Sequence, residues 1–571
     1  MTISRRAVLQ ASGLGVSLMA AGPFRATEAA TADATGRYGD IYSTLDRFVE
    51  QFMRDMNSPG LTLVLADRDA IQRVVTYGFG DLEARRPVAE QQLFQIGSIS
   101  KSFVGLVLLQ LHDEGKLDLH RPVIDYLPWL RIQSAFAPVT THHLLTHAAG
   151  VSAGWDVFPS DPAQGHLAAY APGEHFHYNN MLYEVLGYLA WTLDGRELPD
   201  VLRERILRPL GMTQSEPVIT IDMREKLVKS YVPFLGDRPY ARHGRLCEAP
   251  AIVLTSGAGC VASNARDMGA YVRMIANRGK TVRGRLVSEG GFELFSSPHV
   301  LAEDFGPGVH YGYGIAVDVL DGHKLLRHTG GMVSFMSSMM VDVDAGVGGF
   351  ASVNAQQNYR PNAVVQYAIR LMRAKRDGMT PPPMPEPDLP AVVKNAADYA
   401  GDYTDGKRRL RLLADGERLF LVHEGARVAL ERLDEDDQFL ARHRAFEPYI
   451  LVFGRKNADA NDSAVVELGW GSDWYWNANY DGPFQFSHPT EWESYVGHYR
   501  NENPWFGSLR IVLRKGKLMI DGKTPLEPDG ELFRLRDTPH NADWIRFGEI
   551  VNRRCMRLKY SGSDLWRVAA A

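Results

Sequence analysis

Phe94-Gln95-Ile96-Gly97-Ser98-Ile99-Ser100-Lys101-Ser102-Phe103 is the stretch on which the reading of this chain turns. From Ser100 to Glu114 apolar residues fall on nearly every side of a helical projection, which marks a central buried helix, ended by Gly115. Ser98 opens that helix and Lys101 follows one turn on, so the two side chains share a face. A serine hydroxyl is a poor nucleophile until a base takes its proton. A buried lysine can be that base, because desolvation disfavours its charged form. The helix N-terminus adds N–H groups and partial positive charge where an oxyanion would form. Alone, an S-x-x-K pattern arises by chance about once in a chain of this size, so the surrounding sequence has to decide.

Outward from this segment, Gly60 to Ala66 and Ile71 to Gly78 read as two strands joined by Asp67-Arg68-Asp69. Tyr311 to Val319, Lys324 to His328, Phe335 to Val343 and Gly348 to Asn354 read as later strands, and Arg360 to Arg373 as a covering helix. Early and late strands around a helical middle predict one antiparallel sheet closed by both ends of an α+β domain. The stretch from Met379 to Pro390 is too rich in proline to continue a helix or enter a sheet, and marks a linker. Beyond it the sequence repeats. Tyr399-Ala400-Gly401-Asp402-Tyr403 returns as Tyr495-Val496-Gly497-His498-Tyr499, Leu433 to Phe439 as Leu526 to Phe533, and Phe453-Gly454 as Phe547-Gly548. Alternating stretches such as Leu410 to Ala414 and Leu509 to Leu513 fit two small antiparallel β-barrel modules.

With 571 residues the chain is too long for one core, and its 45% hydrophobic content is that of ordinary globular protein. A net charge of -5 gives no basic field for nucleic acid. The N-terminus runs Arg5-Arg6, an apolar stretch to about Phe24, then mostly small residues to Ala32, the order of an export signal. Its paired arginines resemble a twin-arginine signal, and the apolar run is short for a membrane anchor. Three widely spaced cysteines, Cys247, Cys260 and Cys555, suggest neither a disulfide framework nor a zinc site.

Three further segments supply the context that the serine motif needs. Pro172-Gly173-Glu174-His175-Phe176-His177-Tyr178-Asn179-Asn180 precedes a predicted helix from Met181 to Leu193. His328-Thr329-Gly330-Gly331 ends a predicted strand. Thr140 to Gly150 contains Leu144-Leu145-Thr146-His147. In this order they and Phe94 to Phe103 resemble the penicillin-recognising serine hydrolases: class C β-lactamases, family VIII esterases and D-aminopeptidases. The resemblance covers roughly residues 40 to 375. It implies a β-lactamase/transpeptidase-like catalytic domain, an antiparallel sheet with a helical subdomain, followed here by the two barrel modules. The expected divisions are 1–33 export signal, 38–375 catalytic domain, 376–392 linker, 393–488 and 489–571 modules.

The resemblance also implies roles. Ser98 is the nucleophile, Lys101 its base, and Tyr178 the group that shares the Ser98 proton and passes it to the leaving group. Asn180 hydrogen-bonds Lys101 and the substrate amide, unless it only caps its helix. The N–H groups of Ser98 and Gly331 form the oxyanion hole, with Gly330 beside it. His328, counted among the catalytic residues, stands where lactamases carry lysine, weakening the grip on a substrate carboxylate and favouring a D-aminopeptidase or esterase.

Other signals compete. Gly150-Val151-Ser152-Ala153-Gly154 satisfies the G-x-S-x-G elbow of α/β-hydrolases, but the segment before it reads as a short helix, where an elbow needs a strand. His142, His143 and His147 lack acidic or cysteine partners at ligand spacing and read as structural. Trp470 to Trp476 suits sugar stacking or, more simply, barrel core and module interface. Asn501-Glu502-Asn503-Pro504-Trp505-Phe506-Gly507 is a candidate loop for narrowing the active site, as a C-terminal loop does in D-aminopeptidases. The expected function is a periplasmic serine hydrolase acting through an acyl-enzyme on small peptides or peptide amides. Carboxylesterase, β-lactamase, D-Ala-D-Ala carboxypeptidase and a linear-peptide peptidase such as that of microcystin breakdown are the alternatives within the family. An idle penicillin-binding sensor or scaffold is the alternative outside enzymes. No metal or organic cofactor, no nucleic acid and no stable membrane insertion are expected; the partner is the small-molecule or peptide substrate, with a homodimer left open.

Overall fold

A computed structural model describes residues 26–27, 36–154, 156–158, 166–239, 242–356, 360–387, 389–433, 435–457, 463–505, 507–535 and 540–569. Apart from Ala26 and Thr27, the stretch read as an export signal lies outside the described residues.

Helix α1 (Gly39–Asp55) leads into strands β1 (Gly60–Asp67) and β2 (Ile71–Asp81). Helix α2 (Ser100–Asp113), helix α3 (Asn180–Asp194) and helix α4 (Ala265–Ala276) follow. Strands β3 (Ala316–Leu320), β4 (His323–Gly331), β5 (Met336–Asp342) and β6 (Val347–Val353) precede helix α5 (Asn362–Arg376). The six strands form the middle of a ten-stranded antiparallel sheet in the order β2-β1-β6-β5-β4-β3, so β6 pairs with β1 and the two ends of the domain close it.

Every residue of β1 and β6 is buried, because both faces of the sheet are covered. Leu61, Leu63 and Leu65 point into a core shared with α1 and α5, while Val64 and Ala66 point into the larger core that holds α2, α3 and α4. That is the two-residue alternation of a strand between two apolar layers. Helix α1 buries Ile41, Leu45, Phe48, Val49 and Phe52, a one-sided stripe. Helix α2 is buried on almost all sides and ends as its sequence predicts, with Gly115 at φ +72 and the Lys116 N–H donating to Leu111 O.

Two predicted elements come out differently. The strand read from Tyr311 to Val319 breaks into His310–Tyr311 and β3. Between them the backbone passes so close to α2 that a Cβ on Gly314 would lie 2.5 Å from Lys101 O, and one on Gly105 2.4 Å from Tyr313 O. The strand read as ending at His328 continues through Gly331, which pairs with Met336.

The C-terminal part contains two closed eight-stranded antiparallel barrels, running from Gly401–Thr404 to Asp473–Trp476 and from Gly497–Arg500 to Ser563–Val568. The sequence repeat has a physical basis. Tyr403 donates to Tyr399 O at 3.0 Å and Tyr499 to Tyr495 O at 2.7 Å, each phenol buried in its barrel. Tyr399 packs on Phe439 and Phe453, and Tyr495 on Phe533 and Phe547. Trp470 to Trp476 sits at the junction of the barrels: Lys515 of the second lies 5.2 Å over the Trp474 ring.

Candidate active site

Ser98 lies on a short 3-10 turn, Gly97–Ile99, that runs straight into α2, so Lys101 sits in the first helical turn behind it. The turn presses against the end of β4. Gly97 has φ +56, and a Cβ there would meet Gly331 N at 2.9 Å; a Cβ on Gly330 would lie 1.9 Å from Ile96 O. Both positions therefore require glycine. Gly330→Ala is expected to lower stability by about 1–3 kcal/mol through forced separation of strand and turn; an unchanged denaturant midpoint would show that the contact does not constrain them.

Lys101 is fully buried. Its Nζ lies 3.0 Å from Ser98 Oγ, 2.7 Å from Asn180 Oδ1 and 2.8 Å from Ala258 O. Burial holds the amine well below the ordinary lysine value, opposed only by the Glu184 charge. A neutral amine has two N–H groups and one lone pair. Two of its neighbours are carbonyl oxygens that can only accept, so the N–H groups go to them and the lone pair is left for the Ser98 hydroxyl. That is the arrangement a base needs.

Asn179 caps α3, its side chain accepting from the Leu182 N–H, and this releases Asn180 from the capping role and turns it toward Lys101. The Tyr178 ring lies 4.9 Å from Lys101 Nζ. Its phenol is held well above the usual tyrosine range by burial, with the Ser98 hydroxyl and the Arg360 charge pulling the other way, so it carries its proton. His147 packs on Tyr178 with ring centres 4.4 Å apart and accepts from the Asn179 N–H. His328 is buried, with Nδ1 against Thr329 O at 2.6 Å and Nε2 against the Tyr311 hydroxyl at 2.8 Å. Burial and the nearby Lys101 lower its pKa to about 3, which makes it a neutral imidazole that orients Tyr311. Its ring centre is 6.5 Å from that of Tyr178.

Ser98 and Asn180 open onto a cavity of about 430 Å³, whose walls include Gly331, Met332, Ile252 and Trp505. Trp505 and its neighbours Asn503 and Pro504 come from the loop of the second barrel, and Trp505 packs on an apolar cluster containing Phe94, Met332 and Phe335. The barrel is anchored nearby: Asp543 accepts from the Ala153 N–H at 2.7 Å and lies 3.6 Å from His177 Nε2. A Cβ on Gly154 would lie 2.5 Å from Ser561 O. The Gly150 to Gly154 segment is thus a docking loop that follows the short helix Thr141–Leu145, and Ser152 is buried with its carbonyl accepting from Asn179. His142 and His143 lie elsewhere, against Tyr313 and at the Thr140 cap.

The structure therefore brings together Ser98, Lys101, Tyr178, Asn180, Gly330 and Gly331, with His328 behind Tyr311. Sequence reading missed Tyr311, which sat inside a predicted strand, and Glu184, one turn beyond Asn180 in the cavity wall. It missed Arg360 as well, whose guanidinium would lie 3.4 Å from a Cβ on Gly331. Helical periodicity could have found Glu184; no local signal marks the other two.

Residues 45–374 match the Beta-lactamase family. Esterase EstB of Burkholderia gladioli is 32% identical over 30% of this chain and 50% of its own. A D-aminopeptidase of Brucella ovis is 27% identical over 51% of this chain and 55% of its own, so the chain spans about half the length of these two relatives. Penicillin-binding protein 4* of Bacillus subtilis is 22% identical over 65% and 83%. The solved structure of an octameric penicillin-binding protein homologue from Pyrococcus abyssi superposes with TM-score 0.54 at 23% identity, covering 76% of this chain and 99% of that one.

Proposed function

Because this chain belongs to the β-lactamase family of serine hydrolases, we propose that it acylates Ser98 on small peptides or peptide amides, in the manner of a D-aminopeptidase. As Ser98 Oγ attacks the scissile carbonyl, neutral Lys101 takes its proton. Tyr178 relays a proton to the departing amine, and the Ser98 and Gly331 N–H groups hold the oxyanion. Water then cleaves the ester with the same groups run in reverse. The observation that carries this reading is the Lys101 amine, enclosed by two obligate acceptors and the Ser98 hydroxyl. In keeping with the N-terminal sequence, we place the enzyme in the periplasm. Among the described residues no helix is long and apolar enough to cross a membrane.

The neutral His328 supports amide or ester substrates over a β-lactam, whose carboxylate it cannot grip. A second reading, a carboxypeptidase or lactamase, is favoured by Arg360 beside Gly331, which offers the cation that His328 does not. Turnover of D- and L-amino-acid amides, p-nitrophenyl esters and nitrocefin separates these. Amides and esters are expected to exceed nitrocefin; a dominant nitrocefin rate would favour the second reading. Absence of any turnover and of labelling by a fluorophosphonate would favour an idle scaffold. Trp505→Ala, which removes an aromatic wall of the cavity, is expected to alter the ranking of bulky against small acyl groups by about tenfold. An unchanged ranking would remove the barrel loop from substrate selection.

A further inference from the structure

Glu184 lies four residues after Asn180 on α3, so the two side chains share a helix face. Both line the cavity into which Ser98 opens. Ser256 Oγ donates to Glu184 Oε1 at 3.0 Å, and among the described residues no lysine or arginine lies within ion-pair distance of it. Much of the surrounding wall is apolar: Ile252, Leu254, Met332 and Trp505. A half-buried carboxylate facing such a wall carries an unpaired desolvation cost. Burial pushes its carboxyl up to about 7, Asp156 adds to that, and Ser256 and Lys101 work against it. No step of the acylation chemistry above passes through Glu184, whose charge only opposes the effect of burial on Lys101, and a purely structural bond to Ser256 would need only a neutral oxygen.

Resting on the serine-hydrolase reading, we propose that Glu184 determines specificity by binding the protonated amino group of an aminoacyl substrate whose carbonyl is presented to Ser98. Four residues of helix rise by about 6 Å. Asn180 touches the Lys101 amine, which touches Ser98 Oγ, so Glu184 lies one turn beyond the reacting groups, on the side where an amino group a few bonds from the scissile carbonyl would extend. The ammonium supplies Glu184 with a counter-charge at hydrogen-bond distance and turns a desolvated carboxylate into a charge-assisted hydrogen bond. N-acylated analogues keep the scissile bond but lose this contact.

The test uses the full chain and matched amino-acid p-nitroanilides, free-amine and N-acetyl. In the wild type the free amine is expected to be preferred. In Glu184→Gln the ratio of kcat/KM between the two should fall about 10- to 100-fold, chiefly through KM of the free amine, and Glu184→Asp should recover part of it. A measurement that needs no variant accompanies this: n-butylammonium should compete with p-nitrophenyl butyrate turnover by the wild type more strongly than n-butanol does. An unchanged ratio in Glu184→Gln, or equal competition by amine and alcohol, overturns the proposal. Failure of the underlying reading looks different: the wild type would then turn over neither ester nor anilide and would form no Ser98 adduct.

Discussion

Ser98→Ala is expected to lower kcat by about 10^4-fold or more on any substrate the wild type hydrolyses, and to abolish labelling by a fluorophosphonate. The size of the effect follows from geometry. Ser98 Oγ is the hydroxyl that faces both the Lys101 amine, at 3.0 Å, and the cavity. Once the hydroxyl is gone, the base has no proton to take and no covalent route remains. Folding should be nearly unaffected, since the serine is partly exposed and loss of one hydroxyl leaves no large void. Peptide mapping of the labelled wild type is expected to place the adduct between Phe94 and Phe103. Retained turnover in Ser98→Ala would reject this nucleophile. Loss in Ser152→Ala, with Ser98→Ala active, would transfer the role to a residue that the structure places in a docking loop.

The second large effect concerns the base. Lys101→Arg keeps a positive charge and hydrogen-bond donors but cannot offer a lone pair, because a guanidinium does not deprotonate in proteins. A loss of about 10^2- to 10^4-fold in kcat is expected. The pH profile tests the same point without a variant. The reactive form is the free amine, so kcat/KM must rise with pH through the Lys101 pKa in the folded enzyme. Burial lowers that value, which moves the rising limb well below the ordinary lysine range. Tyr178, held protonated by burial, sets no limit on the acid side. An acid limb near 10.5, the ordinary lysine value, would show that the amine is charged at neutral pH and that another group removes the Ser98 proton, as would a Lys101→Arg enzyme within tenfold of the wild type.

These two outcomes bear on the nucleophile and its base, while the Glu184, Trp505 and Gly330 experiments bear on selection and support. The distinction matters because the barrels and the cavity wall can change what enters without touching proton transfer. Trp505 reaches the cavity from a separate barrel, and Asp543 ties that barrel to the Ala153 N–H beside Ser152. The cavity wall is thus assembled from parts of the sequence more than three hundred residues apart, held together by contacts such as that of Asp543 with Ala153.

What the sequence by itself determined is whatever repeats locally. The apolar run from Leu61 to Ala66 specifies a strand, and the structure divides it between two cores, with Leu61, Leu63 and Leu65 on one face and Val64 and Ala66 on the other. The unbroken apolar surface of Ser100 to Leu111 specifies a central helix, and the three-residue step from Ser98 to Lys101 sets the hydroxyl and the amine on one side of it. The Tyr-x-Gly-x-Tyr repeat of the C-terminal half specifies two like modules, and the structure shows the same hydroxyl-to-backbone latch in each. Only the tertiary structure decided what depends on approach between distant segments. Asn179 and Asn180 are identical in chemistry, and the helix start assigns the cap to one and Lys101 to the other. The strand breaks before β3, where Gly314 presses on the α2 backbone and Gly312 on the Phe295 carbonyl. The Lys101 charge state is likewise beyond local pattern: a lysine is a base or a cation according to how much water its neighbours exclude, and those neighbours come from α3 and from the segment around Ala258.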